Sequence, residues 1–287
     1  MLRLPYKNYW TSGICLPATV LACIAGSQQA VGNPISDTHI FRVGAYEQDI
    51  DVAASATRGG APEVEIDFDK ALGLDDSATT LFFQYQWRFK ENWTLSAFYT
   101  NMSADGSNTA GRDFNWDGVD YKAGARLDTE FGVDTYLIAV DYSFIKTDKL
   151  DIGAGFGLHA FEIETDIEAE VGIVEDGNTD DSIRGRVARN TTELLAPLPN
   201  IRGFARYMIT PKWAVLGSLG WLSANYEDYD GDYLFLTALT EYRFTENFGI
   251  GASYQISEID VTNDNGNRKR AFDIDQYGPS IYLTYGF

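Results

Sequence analysis

The chain has 287 residues, with 22 basic side chains against 42 acidic ones, 27 Gly and 14% aromatic residues. That aromatic content argues against a disordered chain, and a net charge of −20 argues against nucleic acid as a partner. Beyond the N-terminus no uncharged apolar run reaches the roughly 20 residues of a spanning helix, which argues against a helical membrane protein.

The N-terminus reads as a secretory leader. Arg3 and Lys7 precede a largely apolar stretch from Gly13 to Gly26, and no acidic residue occurs before Asp37. Residues 1–30 are therefore expected to be a signal peptide, cleaved after Ala25 or Ala30, with 31–287 as the mature domain. Both cysteines, Cys15 and Cys23, fall in the leader, so the exported chain is expected to carry no thiol, disulfide or Cys-ligated metal. Val20-Leu21-Ala22-Cys23 resembles a lipoprotein cleavage box with Leu21 where a smaller residue is usual. The sequence leaves open whether Cys23 is lipidated or leaves with the leader.

The rest of the chain alternates apolar and polar residues, which is the strand pattern, since side chains reverse face at every step. Leu81, Phe83, Tyr85, Trp87 and Phe89 share a face opposite Gln84, Gln86 and Arg88. Tyr136, Ile138, Val140, Tyr142 and Phe144 oppose Asp141 and Ser143; Phe248, Ile250, Ala252, Tyr254 and Ile256 oppose Gly249, Gly251, Ser253, Gln255 and Ser257. About ten strands are predicted, with eight or twelve as the alternatives: 39–52, 78–90, 93–104, 130–145, 149–162, 197–209, 212–226, 232–244, 247–258 and 275–287. An even count leaves both chain ends on one side. Val64–Phe68 also alternates and is placed in the first long loop, where it folds inward or lengthens a rim.

Very short connections such as Lys90-Glu91-Asn92 and Thr210-Pro211-Lys212 join the strands in pairs, flanked by Trp87, Trp93, Tyr207 and Trp213. The other connections are long, polar and rich in Gly, Asn and Asp. Short turns at one end, long loops at the other and aromatic residues gathered by the short turns describe an all-β, antiparallel up-and-down transmembrane β-barrel. A soluble β-sandwich also alternates. Its strands are usually shorter than the roughly 9–11 residues that cross a bilayer, and the aromatic face here is too large to leave in water.

The C-terminus alternates to the last residue through Ile281, Leu283, Tyr285 and Phe287. This resembles the terminal strand of bacterial outer-membrane proteins, whose closing Phe and preceding aromatic are read by the barrel assembly machinery. The resemblance makes Tyr285 and Phe287 the expected assembly signal. More broadly, residues 39–287 resemble a proteobacterial family of small outer-membrane barrels, akin to the OmpA and OmpW barrel groups. The segments that carry it are FRVGAY (Phe41–Tyr46), EIDFDKALGLDDS (Glu65–Ser77), APLPNIRGFARYMITPKW (Ala196–Trp213), YEDYDG (Tyr226–Gly231) and YGPSIYLTYGF at the C-terminus. The likeness implies the fold and the bacterial outer membrane, with outer-membrane lipids and lipopolysaccharide as surroundings, and no particular activity.

Charge is distributed unevenly. The five outer segments 49–77, 105–130, 162–193, 227–232 and 258–275 hold 33 acidic and 11 basic residues. Walls and short turns balance. Acidic loops suit the Ca²⁺ or Mg²⁺ that bridges lipopolysaccharide phosphates, because hard cations favour carboxylate oxygens. Asp228, Asp230 and Asp232 around Gly231 are the local candidate for a weak site, with a solvated hairpin as the alternative reading. Otherwise no cofactor is expected.

Arg42, Arg88, Arg202, Arg206 and Arg243 fall on the polar phase of their strands, as do Asp141, Asp151 and Glu241. A charge facing lipid costs roughly 2–4 kcal/mol at mid-membrane for Arg or Lys, so these side chains are expected to point inward. They either line a pore or form an ion-pair network that fills a narrow lumen. Of two histidines, His39 lies at the start of the first strand and His159 on the inward phase near the outer end of its strand. A barrel acyl hydrolase would pair such a His with Ser, Asp or Glu, and no local partner is visible. The sequence reading is a monomeric, structural or surface-exposed barrel with at most a narrow lumen. A small passive porin or transporter is the alternative, and a hydrolase using His159 stands third.

Overall fold

A computed structural model describes residues 33–59, 63–171, 186–226 and 228–287; the expected leader, with Cys15 and Cys23, lies outside them. In chain order the elements are β1 (His39–Arg58), β2 (Ile66–Asp67), α1 (Phe68–Leu72), β3 (Ser77–Lys90), β4 (Trp93–Thr109), β5 (Phe114–Trp116), β6 (Val119–Tyr121), β7 (Arg126–Lys146), β8 (Leu150–Val171), β9 (Arg186–Thr210), β10 (Trp213–Tyr226), β11 (Tyr229–Arg243), β12 (Phe248–Asp264) and β13 (Arg268–Gly286). Each long strand pairs antiparallel with the next, and β13 pairs back onto β1 from Ile40 opposite Gly286 to Arg58 opposite Arg268. Among the described residues the ring has ten long strands. Closure leaves no unpaired edge to fray or to template aggregation.

The membrane-facing band follows from the alternation. On β7 the outward residues Tyr136, Ile138, Val140, Tyr142 and Phe144 are all exposed, and on β12 so are Phe248, Ile250, Tyr254 and Ile256. Each band spans about nine residues, the length a tilted strand needs to cross the hydrocarbon core.

Several strands run well past that band, further than the alternation of apolar side chains had indicated. On β7 the same phase continues outward through Asp134, Gly132, Glu130 and Asp128, none of them buried, while Val133, Phe131, Thr129 and Leu127 are buried inside. On β8, Glu162 and Glu164 face out and Phe161, Ile163 and Ile167 face in. On β12, Glu258 and Asp260 face out above Ile256, with Ile259 and Val261 buried beneath them. The period of two is unbroken, but its polarity inverts. Below the inversion the outside is lipid and takes the apolar side chains. Above it the outside is water, so the apolar side chains turn inward and pack as the core of a soluble protein would.

The connections at the end opposite the short turns fill that upper lumen. Val64–Phe68 becomes β2, which continues the edge of β1 at Ala53 and Ala54 beyond the end of β3, and then α1. Asp67 caps α1 by accepting from the Lys70 amide at 3.0 Å. Phe68 and Leu72 on α1 are fully buried. Gly73 ends the helix in the left-handed region, at φ 70°. A Cβ at Gly106 on β4 would lie 2.6 Å from the Leu74 nitrogen, so the loop seats on the wall only because that position is Gly.

Candidate functional site

The interior of the barrel is where the charged and aromatic side chains converge, and it is built in three layers. At the short-turn end, Arg42 Nε donates to Glu241 Oε2 at 2.9 Å and its Nη1 to Gln84 and Gln86, each at 3.1 Å. Arg243 Nε donates to the other Glu241 oxygen at 2.9 Å, and its Nη2 to Asp37 Oδ2 at 3.0 Å. Arg206 Nη1 donates to the Pro34 carbonyl at 2.9 Å and stands 3.8 Å from Asp151. Arg202 Nε lies 3.2 Å from Asp141, and Arg88 donates to the Asp37 carbonyl at 2.9 Å.

Thus Arg42, Glu241 and Arg243 form one continuous chain, Arg206 with Asp151 and Arg202 with Asp141 form two looser pairs, and half-buried Arg88 reaches backbone. Asp37 joins the chain, although it precedes β1 and no alternation marks it. Arg42, Arg202, Arg206 and Arg243 are buried against buried Asp37, Asp141, Asp151 and Glu241. Such charges hold only because each is paired, since an isolated buried ion is far too costly.

The uppermost layer is apolar. Inward residues of β1, β4, β7, β8, β9, β11, β12 and β13 pack with α1 and with the β5–β6 hairpin into one core. Trp116 on β5 meets Phe68 and Phe272 edge-on, with ring centres 5.6 and 6.4 Å apart. Tyr121 on β6 donates to the Ile167 carbonyl at 3.1 Å. The hairpin turns at Asp117 (φ 49°) and Gly118 (φ 87°), both left-handed as a type I′ turn requires. Buried Asp117 is itself gripped by the Arg268 guanidinium on β13 and by Thr192 Oγ1 on β9 at 3.2 Å. The sequence did carry a signal for this plug. Asp117-Gly118 between Phe114-Asn115-Trp116 and Val119-Asp120-Tyr121 is a strong hairpin pattern inside a segment that otherwise reads as acidic loop.

Between the two layers lies an internal cavity of about 120 Å³. Arg42, Arg202 and Arg206 reach it from below, His159, Phe161 and Tyr233 from above, and Phe82, Phe98 and Tyr282 from the side. His159 is buried, with its Nδ1 2.7 Å from Asn200 Nδ2 and its ring 4.7 Å from that of Tyr233. Its hydrogen-bond partner is thus an amide rather than the hydroxyl or carboxylate of a hydrolytic pair. His39, at the short-turn rim, meets the Tyr85 hydroxyl at 2.9 Å.

The acidic residues of the extension decorate its outer wall. Asp260 sits opposite Asp273 on one side and Asp232 on the other. Partial burial, reinforced by those two carboxylates and Asp230, holds its carboxyl above the usual range. Such a group binds protons in the folded state that the unfolded chain has lost, so the folded state gains stability as pH falls through the raised value. Asp260→Asn should therefore raise the melting temperature at pH 7 by about 1–3 °C, and the advantage over the native chain should vanish near pH 4. A pH series of melting curves checks both halves.

β10 and β11 stay paired as far as Tyr226 opposite Tyr229. The Asp-Gly pair at Asp230 and Gly231 is consequently strand rather than turn, because Gly231 faces inward beneath Leu198, where a Cβ would come within 2.9 Å. Asp230 accepts from Asn225 at 3.0 Å, Asp232 faces outward, and Asp228 lies at the turn. Among the described residues no three His, Cys, Asp or Glu side chains stand together as a cation cage.

Comparison with known proteins fits this geometry. No known family pattern and no curated protein matches the chain in sequence. Among solved structures, the outer membrane protease OmpT from Escherichia coli superposes with a TM-score of 0.55 at 10% identity, over 91% of this chain and 100% of that one. The chain has the outer-membrane β-barrel fold. The outer membrane protein OprG from Pseudomonas aeruginosa also aligns, at 14% identity and a TM-score of 0.40, over 90% of this chain and 99% of that one. At these identities the likeness concerns the fold, and the protease chemistry of OmpT stays with OmpT. In such barrels the short turns face the periplasm and the longer connections face outward.

Proposed function

We propose that the protein is a structural, surface-exposed outer-membrane barrel whose lumen is closed, and that it neither conducts solutes freely nor catalyses a reaction. The supporting observation is the double filling of the lumen. A buried Arg–carboxylate layer occupies the periplasmic end, where Arg243 and Glu241 are 0% and 1% exposed, and a buried hydrophobic core occupies the outer end. Its immediate surroundings are outer-membrane lipid and lipopolysaccharide, whose bridging Ca²⁺ or Mg²⁺ would meet the acidic outer wall without a dedicated site. The barrel works as a monomer, since closure satisfies its strands internally. Purified protein in planar bilayers should show no single-channel steps above background. Steady, voltage-independent current steps would replace this reading with the small porin.

Assembly belongs to the same proposal. Phe287 closes the ring through backbone, its carbonyl accepting from Thr38 and His39 at 2.8 and 2.9 Å, and its ring lies 5.6 Å from that of Tyr285. Replacing Tyr285 and Phe287 together with Ala keeps those backbone bonds and removes only the aromatic signal. Outer-membrane levels of the double variant should fall several-fold, measured by quantitative immunoblot of membrane fractions. Unchanged levels would remove the assembly role.

A further inference from the structure

We infer that the mid-lumen cavity is a binding site for a small amphipathic carboxylate, anchored by Arg202. The inference concerns the space between the two fillings and holds whether or not the barrel conducts.

Beside the carboxylates Asp141 and Asp151, each with one oxygen that has no hydrogen-bond partner among the described residues, the cavity carries donors that the protein leaves without acceptors. Arg202 is 8% exposed and engages Asp141 only through Nε, while its Nη1 has no hydrogen-bond partner among the described residues. The Tyr46 hydroxyl, on a residue 4% exposed, likewise has none. Both residues line the same cavity. A buried donor without a partner costs about 1–3 kcal/mol, and more if charged, so each calls for an acceptor. A carboxylate supplies two acceptor oxygens and matches the planar guanidinium.

One part of the wall is aromatic, set among polar lining residues such as Gln48, Ser257 and Gln276. The Arg202 guanidinium stands 5.8 Å from the centre of the Phe235 ring, and Phe82, Phe98 and Tyr282 add further aromatic surface. The volume of about 120 Å³ is of the order that holds a benzene-sized molecule in an engineered apolar cavity. The ligand class is therefore a monoanion with a ring or short chain attached to its carboxylate. A ligand of this class would satisfy the stranded donors and cover the rings together.

The test uses the full mature barrel in dodecyl maltoside, with benzoate and hexanoate as probes and benzyl alcohol and hexanol as uncharged counterparts. Melting curves over a ligand series should rise with benzoate or hexanoate and stay flat with the alcohols, as expected for binding to the folded state alone. Arg202→Gln should weaken carboxylate binding about tenfold or more. Because that variant disturbs the Asp141 pair, Tyr46→Phe provides a second arm: it deletes one unpartnered hydroxyl, leaves the fold undisturbed and should also weaken binding severalfold. Equal shifts from acids and alcohols, no shift at all with either acid, or full acid binding by Tyr46→Phe together with folded Arg202→Gln would each overturn the site and leave a merely hydrated cavity.

Discussion

Glu241→Ala should lower the temperature at which the folded barrel converts to the unfolded band in detergent gels by on the order of 10 °C. Glu241 is 1% exposed and accepts from Arg42 and Arg243 through separate oxygens, each at 2.9 Å. Removing it leaves two buried guanidiniums near each other, with Asp37 the remaining carboxylate on Arg243 and the neutral Gln84, Gln86 and Tyr282 on Arg42. Stranding a charge in a buried pair costs about 3–5 kcal/mol, and each kcal/mol shifts the midpoint of a domain this size by roughly 2–4 °C. Glu241→Gln keeps the shape and one acceptor and should fall between the two. Arg206→Ala should cost less, because Asp151 is 3.8 Å away and the firmer bond of Arg206 is to a backbone carbonyl. A native-like transition for Glu241→Ala would mean that water reaches this layer, and the closed lumen would fall with it.

Trp116→Ala should loosen the outer plug without disturbing the membrane band. Trp116 is fully buried between Phe68 and Phe272, and truncation of such a side chain costs about 3–5 kcal/mol. Its indole nitrogen has no partner among the described residues, so removing that unsatisfied donor offsets part of the loss and places the result near the lower end. Hydrogen exchange should show faster opening across Phe114–Trp116, Val119–Tyr121 and α1, with β7 between Tyr136 and Phe144 unchanged. Bilayer recordings of the variant should remain silent, because the Arg–carboxylate layer still closes the periplasmic end. Unaltered protection at the hairpin would show that the plug is held by Asp117 and its partners rather than by the aromatic core.

How much of this was legible depends on the kind of pattern each part leaves in a linear chain. The nine-residue bands Tyr136–Phe144 and Phe248–Ile256 are unambiguous, because lipid outside demands an apolar residue at every second position and nothing else in the fold competes with that demand. The inward phase of Arg42, Asp141, Arg202, Arg206, Glu241 and Arg243 follows from the same alternation. Above the membrane the rule reverses. Glu162, Glu164, Glu258 and Asp260 gave those segments a loop-like composition, although Phe161, Ile163, Ile259 and Val261 kept the period of two beneath them. A sequence criterion tuned to apolar outward faces stops at the inversion, whereas the backbone hydrogen bonds continue past it.

From the sequence alone, alternation and the position of aromatic residues determine a closed barrel and which side chains face inward, while the choice among eight, ten and twelve strands comes from the pairing. The first two are local properties, since a residue's face depends on its parity within one strand and on the medium outside that strand. Which arginine meets which carboxylate, the recruitment of Asp37 from outside any strand, and the seating of Trp116 among Phe68 and Phe272 were decided only by the tertiary structure. Those contacts join residues far apart in the chain, Arg243 to Asp37 and Asp117 of the hairpin to Arg268 of β13. Closure brings them together through register and curvature, and alternation within a strand carries no information about either.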